Sequence, residues 1–108
     1  MRSANWSLVD AQALHEENPH TFEVPNESDL NDLIVSDFIK VGFQHKGQCE
    51  RIWVKIERID GENLYCTLAN SPVFITMKLG DMVVVHRKNV MDCMSFEELL
   101  RVDEVVFH

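Results

Sequence analysis

At 108 residues the chain has room for one domain and one core. Its hydrophobic content of 45% excludes disorder throughout, no apolar run reaches the length of a membrane span, and no basic region followed by an apolar block marks a secretory signal, so a cytoplasmic location is expected. The net charge of −8 comes from three basic and eight acidic residues over positions 1–48 and seven and ten over 49–108; it argues against a nucleic-acid ligand, whose phosphates need cations.

Residues 6–18 read as a helix. Ser7 is the expected N-cap, Asp10 follows three residues on, and Leu8, Ala11 and Leu14 fall on one face. Asn18-Pro19 ends it, because the residue before proline avoids helical dihedrals. Residues 21–24 suit a short extended piece closed by Pro25, and Asn26 to Asp29 offer caps for a turn of helix through Leu33. Leu30, Leu33 and Ile34 make this acidic connector too apolar for a free linker.

From Asp37 onward the pattern is β. A strand over 38–43 and a turn at His45-Lys46-Gly47-Gln48 lead into a long strand over 49–59, with Ile52, Val54 and Ile56 on one face. Asp60-Gly61-Glu62-Asn63 turns the chain into a strand over 64–68, and the loop length decides which faces meet. A two-residue loop would set Trp53 and Lys55 beside Leu64, Cys66 and Leu68. A three-residue loop with Asn63 left-handed would set Ile52, Val54 and Ile56 there instead, gathering the aliphatic side chains, and is the register expected.

Ala69-Asn70-Ser71-Pro72 breaks that strand, Leu79-Gly80-Asp81 launches another over 82–86, and Arg87-Lys88-Asn89 turns into a strand over 90–93. Ser95 with Glu98 forms a capping box for a short helix to Arg101, and residues 102–107 could add an edge strand. The fold expected is mainly β (α+β): a small five-stranded, strongly bent antiparallel sheet or SH3-like barrel, with an N-terminal helix and a short C-terminal helix. Residues 1–36 would pack a helix and acidic connector on the β-barrel of 37–108, as one structural domain.

The order of several motifs is recognisable. Asp37-x-Ile39-Lys40-Val41-x-Phe43, Glu50-x-x-Trp53-Val54-x-Ile56, Asp60-Gly61, Leu68-x-Asn70-x-Pro72-Val73 and Gly80-Asp81-x-Val83-x-Val85 together resemble the bacterial domain-of-unknown-function family numbered twenty-three-fourteen, over residues 37–94. In that family the last strand is followed by Ile-x-Asp-Trp, whereas Val90-Met91-Asp92-Cys93 has cysteine in place of the tryptophan. The resemblance implies no activity; related small domains resemble immunity proteins of bacterial toxin systems.

Residues able to carry chemistry are few. Cys49, Cys66 and Cys93 are odd in number and form no CxxC, so reduced thiols are expected. His45 with Cys49 is the one close Cys/His pair, far short of a tetrahedral site, and no metal or cofactor is expected. Cys93 before the capped helix, with His86 as a base, is the best nucleophilic arrangement available and a weak one. Glu16-Glu17 and Glu97-Glu98 are adjacent on helices and cannot face each other as an acid/base couple. The glycines form no phosphate-cradling loop. No enzyme is expected.

Binding surfaces remain. Trp53 flanked by Arg51 and Lys55, with Asn70 and Pro72 near it across the hairpin, has the composition of an interface hot spot; the competing reading packs Trp53 under the N-terminal helix against Leu8 or Leu14. An acidic stretch of Glu16, Glu17, Glu23, Glu27, Asp29, Asp32 and Asp37 is the second candidate surface, one that would steer a basic protein partner. The function expected is a non-enzymatic protein-binding module, an immunity or inhibitor protein against a basic toxin or effector. The alternative is an accessory or small-ligand-binding barrel.

Overall fold

A computed structural model describes residues 6–101. Within that span the chain runs β1 (Ser7–Leu8), α1 (Ala11–Glu17), α2 (Glu27–Asn31), β2 (Phe38–His45), β3 (Gln48–Asp60), β4 (Asn63–Leu68), β5 (Met82–His86), a 3-10 turn at Arg87–Asn89, β6 (Asp92–Met94) and α3 (Phe96–Arg101). The five expected strands are present in a strongly curled, antiparallel half barrel, flanked by the short N-terminal and C-terminal helices. The strand expected over 102–107 lies outside the described residues. No described helix is long and apolar enough to cross a membrane.

The sheet follows the order β1-β2-β3-β4-β5, and β6 returns to pair with β2. Because β3 holds one edge of β2, β1 and β6 share the other: β1 lies along Phe43 and Gln44, and β6 along Phe38, Ile39 and Lys40. The turn joining β2 to β3 is Lys46-Gly47, both at positive φ (49° and 79°), the backbone twist that suits a two-residue hairpin.

The β3–β4 hairpin corrects one expectation and keeps its consequence. Asp60 pairs with Asn63 around a two-residue turn, Gly61-Glu62, and Gly61 takes the positive φ of 60°, so Asn63 is not left-handed. The faces still meet as expected, because Ile56 pairs with Cys66 while Arg58 pairs with Tyr65. Glu57 is the extra residue of a β-bulge, which shifts the register by the one residue that a longer loop would have supplied. Ile52, Val54, Ile56, Leu64, Cys66 and Leu68 are accordingly all buried.

They form the inner face with Ile39, Val41 and Phe43 of β2 and Val83 and Val85 of β5, and Leu30, Leu33, Ile75 and Val90 complete the cluster. The barrel interior is filled by side chains.

The N-terminal segment differs from expectation. Ser7 does not cap a helix; Ser7 and Leu8 are strand β1, the Trp6 ring stands edge-on to Phe43 at 4.9 Å, and the Val9 N–H donates to the Gly42 carbonyl. The cap is Asp10, whose carboxylate accepts the Ala13 N–H at 3.0 Å. A cap three residues later leaves the preceding apolar residues free to extend the sheet. Asn26 caps α2 as expected, accepting the Asp29 N–H at 2.8 Å. Ala11 joins Val9 and Met91 in a second apolar cluster. That cluster reaches the outer face at Gly42, where an added Cβ would stand 2.6 Å from the Met91 methyl and 2.9 Å from the Cys49 sulfur.

Candidate functional site

Alternation along the paired strands β2 and β3 sends Ile39, Val41, Ile52 and Val54 inward and Lys40, Arg51, Trp53 and Lys55 outward. Trp53 lies opposite Lys40, whose ammonium sits 4.9 Å from the ring centroid, a cation–π contact. Trp53 is half-buried there and belongs to neither apolar cluster, whereas Leu8 packs on the main core and Leu14 on the Val9–Met91 cluster. Arg51 is exposed and Lys55 half-buried on the same face.

The other predicted positions divide between surface and scaffold. Asn70 is 6% exposed, and its side-chain oxygen accepts the Trp53 N–H at 2.8 Å while the Ala69 N–H donates to the Trp53 carbonyl. The side chain thereby prolongs the β3–β4 ladder past its last regular pair. Pro72 is half-buried two residues on. Glu16 and Glu17 are exposed in the last turn of α1, Asp32 is exposed at the end of α2, and Asp29 faces a cleft. Asp37 does not belong to the acidic surface: it is buried and accepts the Ile34 N–H at 3.0 Å, holding a tight turn in which Ser36 has a φ of 81°.

That cleft, of about 590 Å³, lies over the outer face of β2 and β3, walled by the segment after α1. Lys40, Arg51 and Cys93 line it together with four carboxylates, Glu23, Asp29, Asp92 and Glu98, which come from four separate parts of the chain. β6 brings Asp92 directly opposite Lys40. Glu98 reaches the site through the capping box of α3, whose two bonds are Ser95 N–H to Glu98 Oε1 and Glu98 N–H to Ser95 Oγ. Burial, and after it the negative field of Asp29, Asp92, Glu98 and Asp37, pushes the Cys93 thiol up to about 11. The cleft therefore favours cations and keeps its thiol protonated.

Sequence reasoning had Arg51, Asp29 and Glu23 and missed Lys40, Asp92 and Glu98 as neighbours. The outward direction of Lys40 follows from the alternation of Ile39, Val41 and Phe43. The arrival of Asp92 and Glu98 depends on the crossing from β5 to the far edge of β2, which no local pattern encodes.

A second cleft of about 500 Å³ holds His15, His86, Arg87 and Lys88 with Glu27 and Glu62. His15 Nδ1 is 2.7 Å from the Phe22 carbonyl and so carries the proton, whereas His86 Nδ1 accepts the Lys88 N–H at 3.0 Å. Arg87 is committed to the Gly61 and Leu30 carbonyls. His86 and Cys93 thus line different clefts, and the proposed nucleophile–base pair is not assembled. Burial also raises Cys66, to about 12, and raises Cys49 despite the opposing Arg51 charge. Among the described residues no three His, Cys, Asp or Glu side chains are grouped to hold a metal ion.

A family model described as an uncharacterised protein conserved in bacteria, DUF2314, matches residues 13–101. The match begins within α1 and includes α2 as well as the strands whose motifs carry the resemblance. No curated protein and no solved structure matches the chain.

Proposed function

Since the chain belongs to the bacterial family DUF2314, an uncharacterised one, we propose that it is a non-enzymatic binding module whose outer cleft receives a basic segment of a protein partner. The observation that carries this reading is the convergence of Glu23, Asp29, Asp92 and Glu98 on one cleft. Such a field attracts a Lys- or Arg-rich segment over a distance of about a Debye length, roughly 8–10 Å at physiological salt. The chain's net charge of −8 acts in the same direction. Exposed Arg51 on the cleft wall supplies the opposite sign, which fixes register by rejecting a cation placed there.

Binding is favoured over catalysis because thiol chemistry runs through the thiolate, and all three thiols have raised pKa values. A role as immunity or inhibitor protein in the bacterial cytoplasm fits a surface that covers the basic working face of a toxin or effector.

The test uses the full chain as bait in lysate of a bacterium that encodes it, at low and high salt. Beside it runs Asp29→Asn/Asp92→Asn/Glu98→Gln, which preserves side-chain size and the α3 capping box. A basic protein retained at low salt, released at high salt and lost from the variant is the expected result. Retention that ignores both salt and the three substitutions would sink the reading.

A further inference from the structure

β5 pairs with β4 on one side and, among the described residues, with no strand on the other. Two flanking bonds set the phase of this ladder: Leu68 N–H donates to the Asp81 carbonyl and Arg87 N–H to the Glu62 carbonyl. Bonded and non-bonded pairs alternate in antiparallel strands, so Val83 and Val85 bond to Cys66 and Leu64. Met82 and Val84 then direct their N–H and C=O groups away from β4. The His86 N–H is taken by the Asn89 side chain at 2.9 Å, which closes that end of the edge.

Native sheets blunt such edges with a charged residue, a proline or a bulge. The run Met82-Val83-Val84-Val85-His86 has no Lys, Glu, Asp, Arg or Pro, and its pairing with β4 is regular. The Met82 and Val84 side chains are instead 63% and 51% exposed. Val73, Phe74 and Leu79 in the preceding loop are exposed too, so among the described residues five of eight large exposed apolar side chains fall between positions 73 and 84. The loop is held in place: the Glu50 carboxylate accepts the N–H groups of both Val73 and Phe74, at 2.6 and 2.9 Å.

Charge indicates what fits. In a chain of net −8, residues 70–90 carry Lys78, Arg87 and Lys88 against Asp81 alone, and Asp81 accepts the Lys78 N–H at 3.0 Å. Lys78 and Lys88, both exposed, lie before and after the edge.

We infer that β5 is a docking edge for an extended segment of a partner protein that joins the sheet as an added strand. The segment carries apolar residues over Met82 and Val84 and acidic residues at its two ends, toward Lys78 and Lys88. Backbone bonds at Met82 and Val84 provide the attachment, and the side chains provide selectivity. This site is separate from the carboxylate cleft and prefers the opposite charge.

The probe is a labelled peptide, Glu-Glu-Val-Thr-Val-Thr-Val-Glu, titrated with the full chain by fluorescence anisotropy. Two relatives of it are N-methylated at alternate residues, in one phase or the other, and a fourth has lysine for each glutamate. The unmodified peptide is expected to bind; one N-methyl phase weakens it about tenfold or more, as losing one or two backbone hydrogen bonds would, and the other phase does not. The lysine peptide binds more weakly, and Lys78→Glu/Lys88→Glu reverses that preference. Met82→Glu/Val84→Glu, at two exposed positions, loses binding with an unchanged melting curve, while the triple cleft variant retains it. Absence of binding at millimolar peptide, equal effects of the two N-methyl phases, or indifference to peptide charge would each overturn the proposal.

Discussion

Gly42 sits where β2 meets the apolar cluster of Val9, Ala11 and Met91, and an added Cβ there would press on the tip of the flexible Met91 side chain and on the Cys49 sulfur. Gly42→Ala should cost about 1–3 kcal/mol by overpacking, read as a lower urea midpoint. Gly42→Ala/Met91→Ala should be less destabilised than the two single changes summed; strict additivity would show that the Met91 methyl yields freely. Cys66 gives a pH signature. Its thiol is raised from 9.0 to about 12 in the folded chain, so the native state favours the protonated form. The stability this adds is complete below pH 9 and is lost as pH climbs through the folded value. The stability gap between the native chain and Cys66→Ala should therefore narrow from pH 9 to 12, and a constant gap would contradict it. At this scale the sequence was legible where one side chain's direction follows from its neighbours, as for outward Trp53. It was opaque where a side chain's partner lies far along the chain, as for Asn89, whose side-chain amide donates to the Val9 carbonyl at 2.9 Å.

Among the elements, β3 and β4 show how a correct face can rest on a misread turn. The pattern Ile52-x-Val54-x-Ile56 against Leu64-x-Cys66-x-Leu68 demanded that the aliphatic sides meet, and hydrophobic burial enforces such a demand. It could not say whether the odd residue lay in the turn or within the strand. Glu57 and Arg58 both point outward at the bulge, Glu57 accepting from the Thr67 hydroxyl at 2.8 Å and Arg58 lying 4.0 Å over the Tyr65 ring. Deletion of Glu57 should accordingly leave a folded protein with the other pairs of the hairpin intact. Deletion of Lys55 should turn part of β3 inside out and abolish the cooperative melt, and equal tolerance of both deletions would refute the bulge as the register device. The N-terminus offers a simpler contrast. Asp10→Ala should cost about 1 kcal/mol through loss of the α1 cap, and Ser7→Ala, an exposed strand residue, a few tenths at most. The apolar periodicity that suggested a helix from Trp6 was genuine from Ala11 onward; before it, pairing with β2 overrode the local signal.

Over the whole molecule, the half barrel follows from strand spacing and alternation, which is why the fold class was readable. The cleft was not, since its carboxylates meet only after β6 has crossed to β2. Crowded like charges should cost stability that the proposed partner relieves. Asp29→Asn/Asp92→Asn/Glu98→Gln should melt higher than the native chain at low salt, and the difference should shrink as salt is added. A lower melting temperature would mean that these carboxylates hold the fold rather than wait for a cation.

One feature of the sheet bears on the order in which the molecule assembles. Both β1, near the start of the described chain, and β6, near its end, complete the same edge of β2; Val9 N–H reaches the Gly42 carbonyl and Met91 N–H the Lys40 carbonyl. The β2–β3–β4 meander can form from contacts local in sequence, whereas that edge must await chain from more than thirty residues away on one side and about fifty on the other. The amides of Val9 and Met91 should then exchange with solvent deuterium through a shared opening, well before those of the β3–β4 centre. Loosening either β1 or β6 would unlatch the other, so two segments far apart in sequence keep a single kinetic lock.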